Sequence, residues 1–127
     1  MADLSQPILV LDDLNTMTRI VDAMLRKCGF TNIEQVHDAA TALTRMREQT
    51  FMLVLSDREM PEMNGIDFVR AVRADPGIRG TPIIMMSASD DPKHAEAAIA
   101  AGASVFLKKP FNLTTLRDAV AHLLRDR

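Results

Sequence analysis

The chain has 127 residues, the size of one domain, and its 17 acidic and 15 basic side chains give a formal net charge of −2. It has no Trp or Tyr and no basic stripe, so nucleic acid is not expected as a partner. It lacks a signal-peptide pattern, and no apolar run approaches the roughly 20 residues that span a bilayer. The single cysteine, Cys28, cannot form an internal disulfide. We therefore expect a cytoplasmic protein without membrane contact, with one domain over residues 1–127 and no output domain.

Short apolar runs predict the strands of a sheet. They lie at residues 7–11, 33–36, 51–55, 83–86 and 105–107. The second run alternates apolar and polar residues, as an edge strand does. The third is apolar at every position, which is typical of a strand buried on both faces of a parallel sheet.

Helical patterns follow each run. In the first, apolar residues recur at positions 17, 20, 21, 24, 25 and 28, with Asp13 or Asn15 as the predicted N-cap and Gly29 as the stop. The remaining helices are predicted at about residues 39–49, after residues 64–65, from residue 91 to residue 102 and from residue 112 to residue 124. Asp91, followed by a proline, and Asn112 are the predicted caps of the last two.

Strand and helix alternate five times, which predicts an α/β fold with right-handed crossovers and helices on both faces of the sheet. Because the second strand reads as an edge strand, we expect a flavodoxin-like, doubly wound (βα)5 fold with a five-stranded parallel sheet of order 2-1-3-4-5. The switch point of that order lies between the first and third strands. Those strands end in Asp12-Asp13 and Asp57.

Reactive side chains follow four of the predicted strands. Asp12 and Asp13 follow the first, Asp57 the third, Ser87 the fourth and Lys109 the fifth. These positions share one rim, where ligands of parallel sheets bind. Three carboxylates within ~5 Å would repel by roughly 3 kcal/mol per pair at an effective dielectric near 20. Such a cluster either titrates or recruits a hard cation, and Mg²⁺ fits because it binds one or two carboxylates and leaves a place for a phosphate oxygen.

A phosphoryl group suits the same set of side chains. Lys109 and a divalent ion would neutralise its charge, and Ser87 would hydrogen-bond one of its oxygens. Asp57 would be the covalent acceptor. Each of these residues alone is more often a helix cap, a loop start or a solvated charge. Their coincidence at four strand ends is what favours function.

These motifs resemble the receiver domain of two-component response regulators over nearly the whole chain. They are Asp12-Asp13, Ser56-Asp57-x-x-Met60-Pro61-x-Met63-x-Gly65, Ser87-Ala88 and Lys109-Pro110-Phe111. Residues 12–21, 28–30 and 101–104 are especially similar to the stand-alone chemotaxis regulators of that family.

The resemblance implies that Asp57 receives a phosphoryl group from a histidine kinase or a histidine phosphotransfer protein. It also implies a Mg²⁺ site, in which Mn²⁺ is an alternative, formed by Asp13, Asp57 and the backbone carbonyl of Glu59. Asp12 would hold a metal-bound water.

The resemblance further implies how phosphorylation is transmitted. Lys109 would contact the phosphoryl group, and its peptide bond to Pro110 would be cis. Ser87 would turn toward the phosphate and Phe106 would fill the vacated space. These movements would remodel the face made by the fourth helix, the fifth strand and the fifth helix, through which an output protein is bound.

Several residues depart from the chemotaxis pattern. Phe106 replaces the usual Tyr, and Pro92, Ala95 and Ala119 replace side chains that chemotaxis proteins present to the flagellar switch. Glu59 stands where many relatives carry Asn, and we expect it to alter the lifetime of the phosphorylated form.

The prediction is therefore a monomeric signalling switch, and not an enzyme beyond phosphotransfer to, and dephosphorylation of, its own Asp57. Chemotaxis regulator, phosphate sink, phosphorelay shuttle and regulator of another pathway all remain open. Two competing classes are a phosphate-ester hydrolase and an interaction scaffold that is never phosphorylated. A hydrolase would need a substrate-binding insertion, which is absent from the sequence.

Overall fold

The computed structural model describes residues 3–124, and its strands and helices alternate in the predicted order. The strands are β1 (Ile8–Leu11), β2 (Ile33–Val36), β3 (Leu53–Asp57), β4 (Ile83–Ser87) and β5 (Val105–Lys108). The helices are α1 (Asn15–Lys27), α2 (Ala39–Glu48), α3 (Gly65–Ala74), α4 (Pro92–Ala101) and α5 (Leu113–Leu124). None of the helices within residues 3–124 has the length and hydrophobicity to cross a bilayer.

The strands form one parallel sheet of order β2-β1-β3-β4-β5, so the predicted fold class and strand order are confirmed. The pairing aligns the carboxyl ends of the strands. Leu11 pairs with Ser56, and Ser87 pairs with Lys108. The residues that follow β1 and β5 therefore lie on the same rim as the ends of β3 and β4.

Two apolar clusters cover the two faces of the sheet, since successive strand residues point to opposite faces. On one face, Leu9 and Met85 pack with residues of α2, α3 and α4. On the other, Val10 and Met86 pack with residues of α1 and α5, and the half-buried Cys28 lies against this cluster. The central strands are buried on both sides, as the continuous apolar runs predicted.

The edge strand β2 is only partly buried and carries a charged residue. Glu34 accepts two hydrogen bonds from the guanidinium of Arg45 on α2, from Nε at 2.6 Å and from Nη2 at 2.9 Å. This bidentate pair fastens the neighbouring helix to the outer strand.

Two expectations about α1 are wrong. Its N-cap is Leu14, whose side chain makes no capping bond, and not Asp13 or Asn15. The preceding turn is instead held by Asp12, whose Oδ1 accepts from the Leu14 N–H at 3.0 Å. Ile20, predicted on the buried face, is 47% exposed. The buried side of α1 contains Thr18, Val21 and Leu25, and Ile20 lies beyond its border.

The other predicted helix ends agree with the structure. Asp91 Oδ1 accepts from the Lys93 N–H at 2.9 Å, and Asn112 Oδ1 accepts from the Thr115 N–H at 2.8 Å. Gly102 caps α4 at its C-terminus with φ +119°, the left-handed conformation that glycine adopts without strain.

Candidate functional site

The carboxyl rim of the sheet gathers the side chains that the sequence placed at strand ends. Asp57 and Ser87 are the last residues of β3 and β4, and Asp12 and Lys109 directly follow β1 and β5. Backbone bonds continue past the strand ends, for example from the Lys109 N–H to the Ser87 carbonyl at 2.7 Å. These bonds hold the residues of the rim next to one another.

Three carboxylates form an acidic cluster, defined here as Asp12, Asp13 and Asp57. One ligand oxygen from each lies within 4.8 Å of the others. Asp12 and Asp57 are almost fully buried, whereas Asp13 is exposed. The cluster thus lies at the surface end of the core and is open on the Asp13 side.

Lys109 is the cation that faces this cluster. Its Nζ lies 2.8 Å from Asp57 Oδ1 and 3.3 Å from Asp12 Oδ2. The contact with Asp57 is an ion pair without hydrogen-bond alignment, so the buried Asp57 Oδ1 has no hydrogen-bond donor among the described residues. One ammonium therefore faces three carboxylates, and an acceptor atom remains unsatisfied.

The protonation equilibria reflect this imbalance. Burial raises the pKa of Asp57 from 3.8 to about 6, and the negative charges of Asp12 and Glu59 add to the effect while Lys109 opposes it. Burial alone would lower the pKa of Lys109, but its contacts with Asp57 and Asp12 outweigh burial and hold that pKa above its usual value. Lys109 is therefore charged at neutral pH.

The acidic cluster fits a hard divalent cation. Such ions take carboxylate oxygens as ligands, and the unsatisfied Asp57 Oδ1 is an oxygen that a cation would satisfy. Asp12, Asp13 and Asp57 are the residues that would hold it. The role of the Glu59 backbone carbonyl as a further ligand stays a prediction. The contacts that the structure shows for Glu59 are made by its side chain, with Arg58 and Ser87.

Ser87 is fully buried and its hydroxyl is occupied by three partners. It accepts from Arg58 Nε and from the Ser89 N–H, each at 3.1 Å, and donates to Glu59 Oε1 at 3.2 Å. Arg58 Nη2 also binds Glu59 Oε1 at 2.6 Å. The contact of Arg58 with Ser87 was not predicted from the sequence. The only sequence signal for it is the position of Arg58 directly after Asp57.

Phe106 and Pro110 lie on either side of the end of β5. Phe106 is partly buried, pairs in register with Met85 and packs against the cluster covered by α2, α3 and α4. The peptide bond between Lys109 and Pro110 is cis. The structure shows one position of Phe106, so its role in switching stays a prediction.

The loop from β3 to α3 folds tightly against the end of β3. The Gly65 N–H donates to the Arg58 carbonyl at 2.8 Å, and a Cβ at Gly65 would lie 2.5 Å from the Asp57 carbonyl oxygen. Only a residue without a side chain fits there. The loop borders an open cleft of about 460 Å³, whose lining residues are Asp13, Arg58, Glu59, Met60, Pro61 and Asn64.

Comparison with known proteins places these features in a family. The model of the response regulator receiver domain matches residues 8–121. The chemotaxis protein CheY of Pseudomonas aeruginosa is 37% identical over 113 residues, which cover 89% of this chain and 91% of the relative. Chemotaxis protein CheY-3 of Vibrio cholerae is also 37% identical, over 87% of this chain and 85% of its own.

Solved structures agree with the sequence relatives. The structure of the chemotaxis response regulator CheY4 of Vibrio cholerae superposes with a TM-score of 0.85 at 31% identity, covering 94% of this chain and 99% of that one. The receiver domain of a sensor histidine kinase from Pseudomonas aeruginosa, with a magnesium ion coordinated in its active-site cleft, has a TM-score of 0.85 at 28% identity. It covers 94% of this chain and 97% of its own.

The chain belongs to the response regulator receiver domain family. Its fold, its acidic cluster and its CheY-like relatives assign it to two-component signalling. The predicted family membership is thus confirmed.

Proposed function

We propose that this protein is a phosphorylation-dependent signalling switch whose acceptor is Asp57. A phosphohistidine of a histidine kinase or of a phosphotransfer protein would donate the group. The P–N bond breaks as an oxygen of Asp57 bonds to phosphorus, and the leaving imidazole keeps the electron pair. The observation that carries the proposal is the buried Asp57 Oδ1, which lacks a hydrogen-bond donor yet lies 2.8 Å from Lys109 Nζ.

The residues around Asp57 divide the work of phosphoryl transfer. Lys109 is held charged and close to the acceptor oxygen, so it can stabilise negative charge on the transferred group. Asp12, Asp13 and Asp57 would hold a Mg²⁺ ion, which would supply charge neutralisation for the phosphoryl group. Asp13 lines the open cleft, so a donor would approach the acidic cluster from that side.

The signal would leave the site through Ser87 and Phe106. We propose that Ser87 turns to a phosphoryl oxygen, that Phe106 moves into the vacated space, and that an output protein binds the changed α4-β5-α5 face. Phe106 on β5 pairs with Met85, two residues before Ser87 on β4, so the two side chains lie on the same face of neighbouring strands, which supports this coupling. In this role the protein turns over no other substrate.

Chemotaxis is the candidate pathway, because the relatives with 37% identity are named as chemotaxis proteins. Pro92 and Ala95 on α4 and Ala119 on α5 differ from the side chains that such proteins present to the flagellar switch. A phosphate sink or a phosphorelay shuttle would use the same acceptor chemistry without that surface. A scaffold would not respond to a phosphoryl donor.

The decisive experiment adds Mg²⁺ with acetyl phosphate, or with the phosphoryl mimic beryllofluoride, and maps backbone amide shifts by NMR. We expect shifts at Asp57, Ser87 and Phe106, and none with the Asp57→Asn variant under the same conditions. Unchanged amide resonances around Ser87 and Phe106 in the wild type would refute the switch. Affinity capture with and without beryllofluoride would then separate an output partner from a phosphate sink.

A further inference from the structure

The Ser87 hydroxyl is hydrogen-bonded to the side chains of Arg58 and Glu59, which have no part in the proposed phosphoryl transfer to Asp57. We infer that Arg58 is a positioning residue that holds Ser87 in its unphosphorylated orientation, so that phosphorylation must release Ser87 from Arg58 and Glu59 before signalling. This inference deepens the proposed function and rests on it, because it concerns the residue through which the signal would leave the site.

The first argument is the bonding capacity of the hydroxyl. A serine hydroxyl has one proton to donate and two lone pairs to accept with. In Ser87 the lone pairs accept from Arg58 Nε and the Ser89 N–H, and the proton goes to Glu59 Oε1. Any bond from Ser87 to a phosphoryl oxygen therefore requires that the bond to Glu59 breaks.

The second argument is that Arg58 holds both partners at once. Its Nε binds Ser87 while its Nη2 binds Glu59 at 2.6 Å, so the planar guanidinium fixes the carboxylate beside the hydroxyl. The Arg58 side chain is 21% exposed, which limits competition from water. Arg58, Glu59, Ser87 and Ser89 thus form a closed hydrogen-bond network, here called the Ser87 network.

The third argument is that this network reaches α4. The Ser89 N–H donates to Ser87, and the Ser89 hydroxyl contacts Nδ1 of His94 in the first turn of α4. The same hydroxyl accepts from the Asp91 N–H at 3.1 Å. Release of Ser87 would therefore loosen the loop that positions the start of α4, which belongs to the proposed output face.

The test is a double-mutant cycle read by beryllofluoride binding. Wild type, Arg58→Ala, Ser87→Ala and the double variant are titrated with beryllofluoride at fixed Mg²⁺, and half-saturation is read from amide shifts. Loss of the Arg58 charge weakens anion binding in both backgrounds, so only the difference between the backgrounds reports the Ser87 network. We expect Arg58→Ala to weaken beryllofluoride binding about five-fold less in the wild-type background than in the Ser87→Ala background. A five-fold ratio corresponds to the free energy of about one hydrogen bond.

A control variant, a second readout and a second variant of the network make the result specific. Arg70→Ala removes the same charge from α3, where Arg70 is 65% exposed and 3.8 Å from its carboxylate partner, and it should show no coupling to Ser87. Without beryllofluoride, the His94 amide of Arg58→Ala should already move toward its position in the bound wild type. Glu59→Gln weakens the same network by a second route and should shift His94 in the same direction.

The outcomes separate this inference from the proposed function. Effects of Arg58→Ala that agree within about two-fold in the two backgrounds would overturn the role of Arg58, since additivity means that the residues do not act together. A wild type that fails to bind beryllofluoride would overturn the proposed function itself, and with it this inference. Coupling with wild-type binding intact supports both.

Discussion

Lys109 Nζ lies 2.8 Å from Asp57 Oδ1, although β5 and β3 are separated in the sheet by β4. The long side chain reaches across the end of β4 and brings a positive charge to the most buried part of the acidic cluster. The ion pair does not offset the burial of Asp57 and the repulsion from nearby carboxylates, because the pKa of Asp57 still rises to about 6. The buried, ionised carboxylate of Asp57 therefore lowers the stability of the folded protein at neutral pH.

Asp57→Asn should stabilise the metal-free protein at neutral pH. The folded-state pKa of about 6 lies above the ordinary value of 3.8, so the folded protein resists ionisation of Asp57. The resulting penalty is absent below pH 4, grows between pH 4 and pH 6, and reaches about 3 kcal/mol above pH 6. The neutral Asn variant avoids it.

Urea denaturation in EDTA at pH 4.5 and pH 7.5 measures this difference. We expect the free energy of unfolding of the variant to exceed that of the wild type clearly at pH 7.5 and by much less at pH 4.5. Asp118→Asn, an exposed change on α5 with the same effect on net charge, serves as the control. An Asp57→Asn variant no more stable than wild type at pH 7.5 would contradict the assigned electrostatics.

Magnesium should stabilise the folded wild type, and this stabilisation should depend on Asp13. A cation that binds only the folded state raises the free energy of unfolding in proportion to the logarithm of its concentration. Because altering even the supporting residues of a metal site costs about 10–100-fold in affinity, Asp13→Asn should weaken Mg²⁺ binding at least about ten-fold. The measurement is the melting temperature over a Mg²⁺ titration, and an unchanged response in Asp13→Asn would remove Asp13 from the site.

Gly65→Ala should destabilise the protein and weaken Mg²⁺ binding together. The new Cβ would lie 2.5 Å from the Asp57 carbonyl oxygen and 2.8 Å from Arg58 Cα, so the loop after β3 must shift. Overpacking of this kind costs about 1–3 kcal/mol. Gly80→Ala is the matched control, because nothing lies within 4 Å of a Cβ there. Equal stabilities of the two variants would show that the loop absorbs the contact.

Glu59→Asn should change the rate at which the phosphorylated protein loses phosphate. The Glu59 carboxylate raises the pKa of Asp57 through its charge and binds Ser87 at 3.2 Å, so it influences both the acceptor and a group proposed to contact the phosphoryl oxygens. Loss of phosphate after removal of the donor is the measurement. Rates that match the wild type would leave Glu59 with no part in the lifetime of the phosphorylated form.

The sequence predicted the rim well because β1, β3, β4 and β5 are apolar runs that end at, or are followed by, a polar residue. Asp57, Ser87 and Lys109 needed only the strand order to be placed together, and that order followed from one weak strand and the alternation of elements. Their roles in chemistry follow from the family resemblance and from proximity, and stay predictions until the experiments above are done.

Other features depend on tertiary geometry that periodicity does not encode. Ile20 matched the apolar spacing of α1, but Thr18 is buried in its place, and the Thr18 hydroxyl donates to the Asn15 carbonyl at 2.9 Å. The fully buried Phe68 of α3 was likewise not predicted. The bond from Arg58 to Ser87 joins the residue after β3 to the last residue of β4, which are distant in sequence, and only the folded chain shows which way the guanidinium points.

The bidentate pair of Glu34 with Arg45 bears on how the protein behaves in a crowded solution. An outer strand offers unpaired backbone groups to which a stray strand from another molecule can add. The charged Glu34 side chain, held by Arg45 of α2, disfavours the addition of such a strand at the outer edge of β2. The pair therefore opposes the growth of fibrils by strand addition at β2.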